Sequence, residues 1–149
     1  MTTTTRATVV SHDSSRVGAW MQAHEAGFYR DGCVCIGCER DGLLVAGVMY
    51  DYYNGASIFA HIAITGRFSK EWLYAICHYP FVHLECKVVI GLVAKGNVKS
   101  QRFDENFGFR KRVELYDADP SGSMYIYTLL KNECRFLRRT DHESPSAMA

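Results

Sequence analysis

The sequence predicts a mixed α/β domain, an α+β mixed sheet built in the order β-α-βββ-α-β-α-ββ, with one parallel pair of strands at its centre. Three observations lead there. The dipeptides Asp41-Gly42 and Asn54-Gly55 separate three apolar runs, and both pairs favour the tight turns of an antiparallel meander. A segment of helical period then lies between "ASIFAHIAI" (56–64) and "KVVIGLVA" (87–94). A strand reached from another through a helix lies parallel to it by a right-handed crossover. Finally, "FRKRVELYDA" (109–118) and "SMYIYTLLKNECRFL" (123–137) alternate as two more strands about the turn "DPSG".

The elements follow in order. "ATVVSH" (7–12) is short and β-branched, hence a strand. "HDSS" supplies N-cap residues, after which Val17, Trp20, Met21 and His24 recur at helical spacing until Gly27. His24 on that stripe reads as a packing residue. "CVCIGCER", "LLVAGVMYDYY" and "ASIFAHIAI" make the meander. Beyond Gly66, Ser69 is positioned to cap a helix carrying Trp72, Leu73, Ile76 and Cys77, which Pro80 should close or kink. "KVVIGLVA" is continuously apolar, as in a strand buried on both faces. "NVKSQRFDENFG" reads as a helix ended by Gly108.

Composition narrows the function classes. A chain of 149 residues, 48% hydrophobic, suits one domain with its own core. The expected bounds are 7–137, with a disordered start (1–6) and a polar tail (138–149). A net charge of +1 gives no global field toward nucleic acid or anionic membrane. No apolar run approaches the ~20 residues that span a bilayer, and "MTTTTRATVV" lacks a secretory pattern. A cytoplasmic protein with reduced cysteines is expected. Cys33, Cys35 and Cys38 form C-x-C-x2-C without a second half-site, so packing as small hydrophobes outweighs a metal centre.

After the strand "VVIGLVA" come Asn97, the small Ser100, the aromatic Phe103, and Gly108-Phe109 eleven residues beyond the Asn. With the element order, this resembles the GNAT (Gcn5-related N-acetyltransferase) superfamily over about Ala7 to Leu137, and within it small phage-encoded members. The resemblance implies two central parallel strands that splay apart, exposing peptide groups which pair with the amides of acetyl-CoA, the acyl donor. It implies that backbone near Ile62 and Ile64 holds the pantetheine arm and polarises the thioester. Asn97 and Ser100 would flank the cofactor together with Phe103, and Asn97 could equally cap its helix. The diphosphate would meet the helix N-terminus at Gly66, Arg67, Phe68, Ser69 and Lys70. That loop departs from the family's glycine-rich form, with Arg67 and Lys70 available to compensate by charge.

Asp104 stands where the family commonly has a tyrosine acid. It reads as an acid if burial raises its pKa, as a group orienting the amine, or as part of a solvated face with Glu105. His61, opposite in parity to Ile62 and Ile64, is the candidate base or else a packed sheet histidine. Tyr50, Asp51 and Tyr52 would line the acceptor groove or cover the sheet. The cluster Lys95, Lys99, Arg102, Arg110, Lys111 and Arg112 reads as a contact to the cofactor's 3′-phosphate or as a solvated face.

The resemblance implies acyl transfer to an amine acceptor: a small molecule, a protein or a nucleobase. Two rivals share the fold: a Mom-like phage protein modifying DNA adenine, its flipped base held by Tyr50–Tyr53, and a non-catalytic inhibitor of a host protein. The long last strand could pair across a homodimer.

Overall fold

Asp41 and Gly42 both take positive φ, 53° and 78°, and Arg40 pairs with Leu43 directly across them. This is the two-residue turn that Asp-Gly favours. The computed structural model describes residues 5–138 and 141, in the expected order. It runs β1 (Thr8–Val10), α1 (Ser14–Ala23), β2 (Val34–Arg40), β3 (Leu43–Asp51), β4 (Ser57–Ile64), α2 (Lys70–His78), β5 (Val88–Ala94), α3 (Val98–Phe107), β6 (Arg110–Asp119) and β7 (Gly122–Leu130). The seven strands form one sheet, ordered β1-β2-β3-β4-β5-β7-β6. Only β4 and β5 run parallel. The expected start and tail fall largely outside the described residues. No helix among the described residues is long and apolar enough to cross a membrane.

Three expectations need correction. Asn54-Gly55 does not form a two-residue turn. Tyr52 takes a positive φ of 55° and leaves the ladder, and the Asn54 side chain accepts from Ala56 and Ser57 N–H at 2.9 and 2.8 Å. This side-chain capture replaces the tight turn. Pro80 behaves as expected: the α-helix closes at His78, and the chain continues as a π-helical turn, Tyr79–His83. The last strand stops at Leu130, because Glu133 folds back to accept from Leu130 N–H at 2.9 Å and starts a short 3-10 turn. β7 also lies between β5 and β6, so it has no free edge for a partner strand.

The sheet separates two apolar layers. On one face α2 and α3 enclose Trp72, Phe81, Phe107 and Tyr127. On the other, α1 lays Val17 and Met21 over Cys35 and Met49. Cys33 and Cys35 point into the α1 layer while Cys38 points into the α2 layer, and all six cysteines are buried as free thiols. β5 is not covered on both faces: Val89, Gly91 and Val93 are buried, but Leu92 is exposed on the side where α1 does not reach.

Trp72 locks α2 to the sheet. It is fully buried, and its Nε1–H donates to Ile36 C=O at 3.1 Å. Trp72→Phe leaves that carbonyl without its donor and a void beside it. An unmet buried group and lost packing together are worth about 2–4 kcal/mol. Urea denaturation should show that loss; a wild-type midpoint would mean Trp72 does not anchor the helix.

Candidate active site

β4 and β5 begin as neighbours and then part. Their ladder holds only Ser57–Val88, Ile58–Val89 and Phe59–Ile90. Beyond it each strand follows its own antiparallel partner: β4 stays with β3 as far as Ile64–Ala46, and β5 with β7 as far as Ala94–Met124.

The peptide groups facing the gap follow from strand alternation. Thr65 and Gly66 N–H both donate to Val45 C=O, at 2.8 and 3.0 Å. One residue earlier, Ile64 turns its amide the other way, and Ile62 does the same. On the opposite wall Lys95 N–H donates to Ser123 C=O at 2.9 Å, so the odd-numbered residues of β5 pair with β7 while Leu92 and Ala94 are in phase to face β4. Main-chain donors and acceptors thus line both walls of the gap.

A cavity of about 730 Å³ runs through it, from α3 on one face to the segment following α1 on the other. On the α3 side Asn97, Ser100, Phe103 and Asp104 line the cavity. Asn97 also caps α3, its side chain accepting from Ser100 N–H at 3.2 Å. Phe103 packs edge-on against Phe68, with centroids 6.0 Å apart. Asp104 is only 7% exposed; burial first, and the charge of Glu105 second, push its pKa up to about 7. It does not belong to a solvated face. A Cβ built on Gly91 would stand 3.7 Å from Asp104 Oδ2, so the missing side chain leaves the carboxyl in reach of the gap. Glu105 is engaged elsewhere, accepting from Tyr127 O–H at 3.1 Å.

On the α1 side the lining includes His61, Asp51, Tyr52 and Arg30. Burial lowers the His61 pKa from 6.5, with Asp51 opposing it more weakly. Gly27, at φ +89°, brings backbone against the imidazole: a Cβ there would fall 3.1 Å from the ring. Asp51 is ion-paired with Arg30, whose guanidinium lies 5.0 Å from the Tyr52 ring centroid.

The remaining expected residues divide. Ile62 and Ile64 line the cavity. Tyr50 does not: it is buried on the α2 face, its O–H donating to Ile76 C=O. Residues on β3 alternate faces, which keeps Tyr50 out of this cavity, while a second one of about 350 Å³ is lined by Tyr50, Asp51, Tyr52 and Tyr53 together. Gly66, Arg67, Phe68, Ser69 and Lys70 lie past Thr65, where the lining ends. Ser69 Oγ is spent on Trp72 N–H at 3.2 Å, and Phe68 packs on Trp72. Of the basic cluster, Lys99 reaches the cavity. Lys95 pairs with Glu114 at 3.3 Å, Arg110 with Glu133 at 2.7 Å, and Lys111 sits over Tyr125.

Gly91 and Arg30 were not anticipated. An isolated glycine inside an apolar strand signals close approach of a backbone or ligand, and that signal was present in "VVIGLVA". Arg30 sits in an irregular segment, where no periodicity marks it.

No family model matches the sequence, and no curated protein does so significantly. Solved structures do match the fold. A chimera of spermidine N-acetyltransferase SpeG from Vibrio cholerae and hSSAT superposes with a TM-score of 0.68 at 13% identity, covering 85% of this chain and 97% of that one. The structure of yncA from Salmonella typhimurium with its cofactor acetyl-CoA gives 0.66 at 11% identity, covering 87% and 96%. Ard1 from Thermoplasma volcanium gives 0.64 at 15% identity, covering 83% and 97%. At such identities the likeness establishes architecture. The chain has the GNAT fold, with the splayed central strands that define it.

Proposed function

We propose that this protein is an N-acyltransferase that takes acetyl-CoA as donor and passes the acetyl group directly to an amine. The interrupted β4–β5 ladder carries the reading. Peptide groups left unpaired inside a protein are costly, and a pantetheine arm, with two amides and a terminal thiol, complements both walls of such a gap. Ile62 N–H is the donor best placed to polarise the thioester oxygen. Asn97 and Lys99, at the start of α3, would flank the arm, and the exposed Arg67 and Lys70 would meet the diphosphate.

In this reading His61 and Asp104 work from opposite faces of the sheet. His61 receives the proton that the amine loses as its nitrogen bonds to the carbonyl carbon. The carbon–sulfur bond breaks, and Asp104 returns a proton to the thiolate. Asp51 and Tyr52, beside His61, would border the acceptor.

Calorimetric titration with acetyl-CoA, followed by mass spectrometry on amines and DNA incubated with the protein, tests this. Micromolar donor binding and an acetylated amine are expected. Absence of donor binding would leave a non-catalytic module on the same fold. A modified adenine requiring the intact protein would move the acceptor to nucleic acid.

A further inference from the structure

The second cavity, of about 350 Å³, lies at the end of the sheet where β2 and β4 start and β3 stops. It shares Arg30, Asp51 and Tyr52 with the cavity that holds His61, so the two adjoin across one wall. Tyr52 stands on that wall because its φ of 55° turns it out of β3, a conformation that bulky side chains rarely adopt. Its ring meets Phe59 edge-on, with centroids 5.8 Å apart, and lies beneath the Arg30 guanidinium. Tyr53 and Tyr79 add two more rings, and Val34, Ile58 and Leu84 supply apolar surface.

The polar groups of this cavity are largely spent, and that decides its ligand. The Tyr50 hydroxyl donates to Ile76 C=O, and the Tyr53 hydroxyl to Leu84 C=O at 3.1 Å. Asp51 is held by Arg30, which leaves the exposed Asp31 as the remaining carboxylate. A polycationic amine needs acceptors for every ammonium hydrogen, and one solvated carboxylate supplies few. An aromatic ring needs faces, edges and apolar contact, all of which are present. On β4 three residues separate His61 from Ile58, about 10 Å of strand, the reach of a bicyclic ring on a short aminoalkyl arm. Resting on the acyl-transfer reading, we propose that the second cavity binds the aromatic ring of the acceptor, whose amine reaches His61 past the Arg30–Asp51 pair. The acceptor class is then a small arylalkylamine.

Calorimetric titration of tryptamine, n-butylamine and spermidine into the full chain tests this without requiring turnover. Tryptamine should bind about tenfold more tightly than either aliphatic amine, the scale of one or two ring contacts. Tyr53→Ala should erase that margin. Tyr53→Phe, which keeps the ring and loses the bond to Leu84, should retain it, with circular dichroism to verify folding. Equal affinities, spermidine binding best, or a margin that survives in folded Tyr53→Ala would each overturn the proposal. Adenosine binding as tightly as tryptamine would overturn the choice of a small amine and give the ring site to a nucleobase. Acetyl-CoA titrated separately keeps the two readings apart. Donor binding without a ring preference overturns this site alone, whereas a ring preference without donor binding removes the transfer reading and leaves the ring site standing.

Discussion

Asp104→Asn is expected to make the protein more stable at pH 8 and far less active. The carboxyl's pKa rises from 3.8 to about 7 on folding. Between those values the folded state binds more protons than the unfolded chain, so stability falls as pH rises and levels off above about 7. An amide has no such titration. The variant's advantage should therefore be near zero around pH 4 and reach a few kcal/mol above pH 7, since about three pKa units at ~1.4 kcal/mol each set the upper scale. Turnover should change in the opposite sense. If Asp104 reprotonates the thiolate, activity falls on the alkaline side as it ionises near pH 7. His61, with its pKa lowered from 6.5, sets the acid side. The narrow optimum between them should lose its alkaline limb in Asp104→Asn, with kcat reduced by about 10²–10⁴. Urea denaturation at several pH values and a pH–rate profile decide the matter. Parallel stability curves for the two proteins would mean that the carboxyl is not buried in its charged form. An unchanged alkaline limb would remove it from the chemistry.

A burial this unfavourable is what local sequence rules cannot anticipate. Asp104 lies in a helix of low apolar content beside Glu105 and Asn106, where solvation is the ordinary outcome. It is buried because α3 is pressed onto the sheet by Phe103 and Phe107, two residues at helical spacing, and Asp104 shares their inward side. The elements themselves were legible because hydrophobic period and turn chemistry agree at nearly every boundary: Asp41-Gly42 turns, Ser69 and Asn97 cap, Gly108 terminates. Where they disagree, tertiary contacts settled the outcome. Tyr52 in a left-handed conformation undid the Asn54-Gly55 turn, and Glu133, drawn to Arg110 and Arg112, ended β7 early. The gap was inferable only from family likeness, since nothing in "IFAHIAI" or "VVIGLVA" marks where pairing stops. Tyr50 went astray for a simpler reason. An alternating strand lends only every second residue to a groove, and Tyr50 falls on the other face.

If the gap holds the donor, then narrowing it must stop binding without unfolding the sheet. Gly91→Val is the variant for this. Its Cβ would meet Asp104 Oδ2, Phe109 and Tyr127 at 3.7–3.9 Å, ordinary van der Waals distances, so Gly91→Ala should fold and bind nearly as the parent does. Valine's two further methyl groups have no room prepared for them except toward the cavity, beside the peptide groups that would pair with pantetheine. β-branching also suits a strand, which favours a folded product. Acetyl-CoA affinity should drop at least tenfold in Gly91→Val, and about 1.4 kcal/mol of binding energy corresponds to that factor. Calorimetry on the two variants, with thermal melts alongside, separates a blocked gap from a damaged core. Unaltered affinity in a folded Gly91→Val protein would place the donor elsewhere. The unpaired amides of Ile62 and Ile64 would then need another explanation, and the interrupted ladder would no longer argue for acyl transfer.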